Sequence, residues 1–333
     1  ESGVAKQQWL SISRPPAPPP PPLQPPPAAP AFTPLGARVV GTGQNSYFGD
    51  SVALSADGTV LAVGARKYDN ERGMVRVYVR TQSTGGETSW TQRGDDLKGA
   101  QMNIQFGDAV TLSSDGTVLA VGASRYTHDG KSQAGGVWVY TWQADTSSWE
   151  QRGSALLSSA ASAFFGSSVD LSNDGAVLAA GGRQDSQWRG VVRVFVWASG
   201  AWSQRGADLT GSSSQANFGT RVRLSSDGLT LAVGAHKESS AIGTDSAGAV
   251  RAYTWNPTSG RHVTKGSAIY GATSNDRLGS GLALSSDGTV LAAGAPGYGG
   301  WMKGRVRVYE WASAAGASVA WVQRGGDLDG GGN

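Results

Sequence analysis

The chain has 333 residues, a net charge of +3, 49 glycines, 12 tryptophans and no cysteine. Without cysteine there is no disulfide, no thiol nucleophile and no thiolate metal site. Basic residues are scattered rather than gathered into the stripe of a nucleic-acid binder, and no apolar run reaches the ~18 residues of a membrane span.

The chain begins at Glu1 rather than Met, with no signal-like apolar core, which reads as a processed or trimmed end. Within residues 1–14, Gln7, Gln8, Trp9, Leu10 and Ile12 form a short candidate strand with one apolar face. Residues 15–34 hold 12 of the 14 prolines. So dense a run fixes φ and removes backbone donors, which predicts a polyproline II rod. At about 3.1 Å per residue, Pro15 to Pro30 extends roughly 50 Å.

From residue 35 to 333 the chain is a repeat. The first copy reads Phe48-Gly49-Asp50-Ser51-Val52-Ala53-Leu54-Ser55, then Asp57-Gly58, then Val60-Leu61-Ala62-Val63-Gly64-Ala65. After a polar loop come Val75-Arg76-Val77-Tyr78 and Trp90-Thr91-Gln92-Arg93-Gly94. The start recurs at Phe106-Gly107, Phe165-Gly166, Phe218-Gly219 and Leu278-Gly279, at intervals of 58, 59, 53 and 60 residues. A period of this size marks a repeat architecture.

Each copy carries four short apolar runs. The first and third alternate with period 2, as half-buried strands do; the second is continuously apolar, as a strand buried on both faces is. Asp-Gly between the first two, at Asp57, Asp115, Asp174, Asp227 and Asp287, is a hairpin signal, since both residues tolerate positive φ. A single four-stranded meander buries too little to stand alone, so the units must pack face to face. The expectation is an all-β fold: a β-propeller of five four-stranded blades, closed into a wheel. A β-sandwich is the rival, but five equivalent units fit a ring better. Gly64, Gly122, Gly182, Gly234 and Gly294, after the second run, are expected where blades approach closely. The recurring Trp, Gln and Arg of the fourth strand are expected to join neighbouring blades. Phe32 to Gly36 reads as a degenerate copy of Trp90 to Gly94, so the chain enters the ring in the frame of an outermost strand.

Phe-Gly-x-Ser-Val, Val-Gly-Ala and Gly-x-Val-x-Val-Tyr together resemble the FG-GAP repeat of integrin α-subunit propellers and many extracellular proteins. The variant with Ser-x-Asp-Gly-Thr and Trp-x-Gln-x-Gly is the closer likeness, over roughly residues 32–330. The resemblance implies a propeller and an extracellular or cell-surface setting. It is specific for fold and not for function. Integrin-type calcium loops need several carboxylates; each turn here has one, so a plain turn is the expectation, with calcium as the alternative and no other cofactor. Residues 15–34 resemble hydroxyproline-rich wall glycoproteins, which implies O-linked sugars at Pro18, Pro19, Pro20, Pro21, Pro22, Pro25, Pro26 and Pro27. A bare stiff linker and an SH3 or WW ligand are the other readings of the same run.

No catalytic constellation appears. His128, His236 and His262 lie in different repeats, and the loop acids Asp69, Asp129, Asp185 and Asp245 cannot be paired from sequence. The expectation is a non-enzymatic, secreted structural protein without a membrane span or nucleic-acid partner. It assembles with copies of itself, the segment around Gln7 to Ile12 adding to a neighbouring propeller, since head-to-tail contacts of that kind generate filaments. The alternative is a carbohydrate-binding or adhesion propeller acting through the variable loops, where Tyr68, Tyr126, Trp188, Tyr298 and Trp301 could stack on sugars; a further option is the head of a receptor.

Overall fold

A computed structural model describes residues 34–41, 43–83, 85–239, 244–299, 303–312 and 320–331. The N-terminal candidate strand and the proline run lie outside the described residues, as does Trp301. From Gly36 onward the chain is one compact unit.

The five repeats form five antiparallel sheets. In the first blade the strands are Phe48–Leu54, Val60–Ala65, Met74–Gln82 and Thr88–Gln92, in spatial order of sequence. Later blades start at Phe106, Phe165, Phe218 and Gly281. The propeller expectation therefore holds, with one addition. After each fourth strand the chain doubles back and a two-residue strand, such as Leu97–Lys98, pairs with the head of the third. Two residues carry too little periodicity to be read from sequence.

The Asp-Gly turn is not built as expected. Gly58 takes the left-handed conformation, at φ 67°, but Asp57 does not, and the loop is five residues long. Asp57 instead acts through its side chain: Oδ1 accepts from the Ser55 hydroxyl (2.6 Å), the Thr59 amide (3.0 Å) and the Thr59 hydroxyl (2.8 Å). That is why Ser and Thr flank Asp-Gly in the repeat. These bonds, Ser55 first, hold the Asp57 carboxyl at about 2 against an ordinary 3.8, and Ser285 and Thr289 do the same for Asp287. A depressed folded-state value stabilises the fold above the unfolded value and is lost as pH falls through the folded one. Melting temperature should therefore decline between about pH 4 and about pH 2, and thermal melts across that interval check it.

The residue before each Asp ties neighbouring turns together. Ala56 N–H donates to the Ser114 carbonyl, Ser114 to Asn173, Asn173 to Ser226 and Ser226 to Ser286 (2.7–2.9 Å). Outside this girdle the blades interlock through the Phe-Gly bulge. Phe106, Phe165, Phe218 and Leu278 bridge to Gly73, Gly135, Gly190 and Gly248 of the preceding blade. The glycine after each knob, at φ 86° for Gly107, lays its carbonyl against the glycine of the preceding second strand. A Cβ on Gly64, Gly122 or Gly234 would collide with the backbone of Gly107, Gly166 or Gly279. In the third blade that glycine is Gly181, not Gly182 as the sequence frame suggested: Gly181 meets Gly219, while Gly182 contacts its own blade and Ala163.

At the rim, Trp149, Trp202 and Trp321 donate Nε1–H to the carbonyl of Arg93, Arg152 and Lys265 on the blade before (2.8–3.0 Å). The same arginines lie over the receiving tryptophans and donate to the Asp-Gly turn, as Arg152 does to the Gly175 carbonyl at 3.1 Å. The Trp and Arg thus join blades. The Gln does not: Gln92 binds Gly94 and Asp96 of its own blade. There it supports a forked Arg76–Asp96 pair that locks the outer chain to the third strand.

The wheel is not closed. The girdle bond, the knob bridge and the glycine contact recur at four seams, and the tryptophan bond at three of them, His262 standing in its place on the fourth blade. The fifth seam, between the last blade and the first, repeats none of them among the described residues. A Cβ on Gly49 or Gly58 meets nothing within 4 Å, and one on Gly294 meets only its own blade. Val52 and Leu54 are 61% and 58% exposed, whereas their counterparts Val110 and Leu112 are 9% and 8% exposed. Val290–Ala295, an apolar run like the others, is buried only at alternate residues because one face has no neighbour. Five equivalent units suggest a closed ring, but unit number does not fix the angle between units.

Candidate functional site

The variable loops leave one side of the arc, as loops on a scaffold often do at binding sites. They do not converge. Tyr68 opens a single turn, Tyr68–Glu71, and sits under the Lys98 ammonium at 5.8 Å. Tyr126 packs edge-on against Trp138, centroids 4.9 Å apart, and stacks on His128. Tyr298 carries the Arg305 guanidinium at 3.5 Å from its ring centre. Trp188 stands out, 47% exposed, beside a cavity of about 250 Å³ lined by Trp188, Gln215, Asn217 and Lys237.

The titratable groups are engaged locally. The His128 ring nitrogens lie 2.9 Å from the Ser158 carbonyl and 3.2 Å from Asp129. His236 is pushed down to about 4 by burial, then by Lys237, Arg183, Arg277 and Arg221; burial takes His262 to about 4 as well. Both are neutral imidazoles at neutral pH. Asp170, on an inner strand, accepts from the Leu224 amide (2.7 Å) and the Thr111 hydroxyl (3.2 Å), and burial raises its pKa. It lines an axial cavity of about 350 Å³ that Thr111, Asn173 and Arg223 also line. Among the described residues no three His, Asp or Glu groups gather as metal ligands, and no helix is long and apolar enough to cross a membrane.

The open seam is a second unfilled surface. On the last blade, Gly281, Gly294, Pro296, Gly304, Val306 and Leu328 line an apolar cavity of about 600 Å³. Gly294, Gly304 and Val306 occupy the positions that elsewhere receive a Phe-Gly knob, as Gly64, Gly73 and Val75 receive Phe106-Gly107. The first blade offers the counterpart, Phe48-Gly49 with no preceding blade. Ahead of that knob, residues 36–47 follow the course of 94–105. Gly36 sits against the Thr88 carbonyl as Gly94 sits near that of Ser147, and Lys67 N–H bonds the Ser46 carbonyl as Arg125 bonds that of Ile104. The described residues of this stretch thus take the place of the segment that links one blade to the next; the strand copy expected ahead of it, Phe32 to Gly36, lies partly outside the described residues. The receiving rim has diverged with it: where Trp142 takes Arg93, the first blade has Arg80, across from Trp90.

No protein-family model matches the chain, and no curated protein does. Among solved structures it is similar to a putative 6-phosphogluconolactonase from Bacteroides uniformis ATCC 8492, at 13% identity and a TM-score of 0.50, over 84% of this chain and 85% of that one. It also matches TolB from Acinetobacter baumannii (11%, TM-score 0.45, 78% and 51% of the chains) and Sqt1 from Saccharomyces cerevisiae (12%, 0.46, 80% and 60%). At such identities the likeness is one of fold alone. The class defined is a β-propeller, and the lactonase name is a statement about that other protein.

Proposed function

We propose that this protein is a non-enzymatic structural subunit that polymerises head to tail outside the cell. The observation that carries the reading is the open seam: each chain has one vacant socket and one unused knob of matching repeat type. A pair of different, complementary surfaces on one chain builds an open filament unless the ring closes on itself. The first blade of one copy seats against the last blade of the next, Phe48-Gly49 entering between Gly294, Gly304 and Val306. Val39-Val40, which corresponds to Leu97-Lys98, then pairs with Arg305-Val306 in place of the neighbour's own Leu328–Asp329. In the filament the N-terminal segment, Gln7 to Ile12, adds to a sheet edge of the neighbouring propeller.

The resemblance of the repeats to FG-GAP repeats, and of residues 15–34 to hydroxyproline-rich wall glycoproteins, supports an extracellular or wall setting, with the proline rod sheathed in sugar. Electron microscopy of a chain lacking residues 1–14 tests the role of that segment. Filaments are expected to shorten or vanish, and filaments of unchanged length would remove the segment from the assembly.

A further inference from the structure

The seam between the third and fourth blades holds a second site, visible when it is laid over the seam between the first and second. In the earlier seam Gln105, 3% exposed, donates its backbone N–H to the Glu71 carbonyl and its amide Nε2 to Glu71 Oε2 at 2.8 Å. Arg125 donates to the same oxygen at 3.1 Å. One carboxylate oxygen thus satisfies a buried amide and a guanidinium.

In the later seam the backbone repeats this pattern. Asn217 N–H bonds the Trp188 carbonyl, Gln215 bonds Gln187 as Asn103 bonds Asn70, and Lys237 bonds Ala216 as Arg125 bonds Ile104. The three positions are now Trp188, Asn217 and Lys237. An amide and a cation remain; the carboxylate has become an indole. Asn217 is 2% exposed and lines the cavity, and its Oδ1 has no hydrogen-bond partner. Buried amide oxygens are rarely left so, since each loses its water without gaining a donor. Lys237 has an aromatic face, its ammonium 5.7 Å from the Trp188 ring centre, but no carboxylate ion pair among the described residues. Arg183, Arg221 and Arg277 add positive potential around the neighbouring His236.

We propose that this seam binds one carboxylate-bearing sugar residue of a hexuronic-acid polymer. The sugar carboxylate takes the role Glu71 plays in the first seam and pairs with Lys237. The pyranose face stacks on Trp188, and sugar hydroxyls meet Gln215 and the Asn217 amide. A cavity of about 250 Å³, below the ~300 Å³ where drug-sized ligand sites begin, suits a single ring. The backbone that carries the indole is specialised: Gln187 and Trp188 both sit at φ 66°, a conformation that persists only where surroundings over-determine it. This site does not depend on the filament reading, since it lies away from the open seam.

The test is titration of the whole chain with oligogalacturonate, followed by tryptophan fluorescence and calorimetry, with neutral oligogalactan as control. Saturable binding of the acidic oligomer alone is expected. Losing a charge-assisted bond should weaken it about tenfold or more in Lys237→Gln. Trp188→Glu restores the carboxylate found at Glu71 and should abolish binding by filling the cradle from within. Equal affinity for the neutral oligomer, an unchanged constant in Lys237→Gln, or no saturable binding by the intact chain would each overturn the proposal. Polymer length in the microscope, read on the same samples, reports separately on assembly.

Discussion

Gly122→Val is expected to be the most damaging single substitution in the protein. The glycine faces no backbone demand, only a demand for space: a Cβ there would run into the carbonyl, carbonyl carbon and Cα of Gly166 on the next blade. Those are backbone atoms of a knob buried in a parallel bridge between Gly135 and Phe165, so no side chain can swing aside. The two blades must separate, and separation exposes Phe165, Val137 and Val169, all now buried. Overpacking a core ordinarily costs about 1–3 kcal/mol; a rigid backbone obstacle belongs to the tail of the distribution, about 4 kcal/mol or more. For a chain of this size that is a fall in melting temperature of order 10 °C. A thermal melt followed by circular dichroism measures it, and a fall of only one or two degrees would mean that the blades are not in contact as described.

The same substitution at Gly294 is expected to leave the melting temperature alone and to stop assembly. Gly294 occupies the same place in its repeat as Gly122. Its Cβ would meet nothing closer than the Cα of Gly281, at 3.5 Å, which is ordinary contact. The valine methyls would instead fill the space where the proposed Phe48-Gly49 of the next copy enters. Sedimentation velocity on Gly294→Val should show a folded monomer at concentrations where the parent chain polymerises. Normal polymers from this variant would place the contact elsewhere on the molecule. A large loss of stability would mean that the seam is closed within each chain.

These two glycines also show how far the sequence could be read. Val118-Leu119-Ala120-Val121-Gly122-Ala123 and Val290-Leu291-Ala292-Ala293-Gly294-Ala295 carry the same pattern, and the pattern identified strand, blade and repeat in both. It could not tell that one strand is buried on both faces and the other on one, because burial depends on a neighbour and not on the segment itself. The degenerate copy ending at Gly36 was legible, since its spacing to Phe48 matches that from Gly94 to Phe106. That the last seam stands open needed the geometry of that seam. The Asp-Gly turns announced hairpins correctly, yet their internal bonding turned on Ser55 and Thr59 closing around Asp57.

The loop site was half legible. Trp188 was named as an exposed aromatic on a variable loop; its partners were not. Asn217 reads in sequence as the residue before a Phe-Gly start, and Lys237 as one charge among several after a second strand. Only the correspondence with Glu71, Gln105 and Arg125 gives them a common purpose, and that correspondence runs through backbone bonds between neighbouring blades, such as Gln105 N–H to the Glu71 carbonyl and Asn217 N–H to the Trp188 carbonyl. Tyr126 and Tyr298, named on the same grounds as Trp188, have ring partners within their own blades.

Electron microscopy of the purified, intact chain decides whether the unfilled face of the last blade is completed by the first blade of another copy. Linear particles are expected, in which five-bladed arcs repeat in one direction, each joined to the next across the Gly294–Val306 face. Isolated particles in which the last blade abuts its own first blade, at every concentration tried, would contradict it.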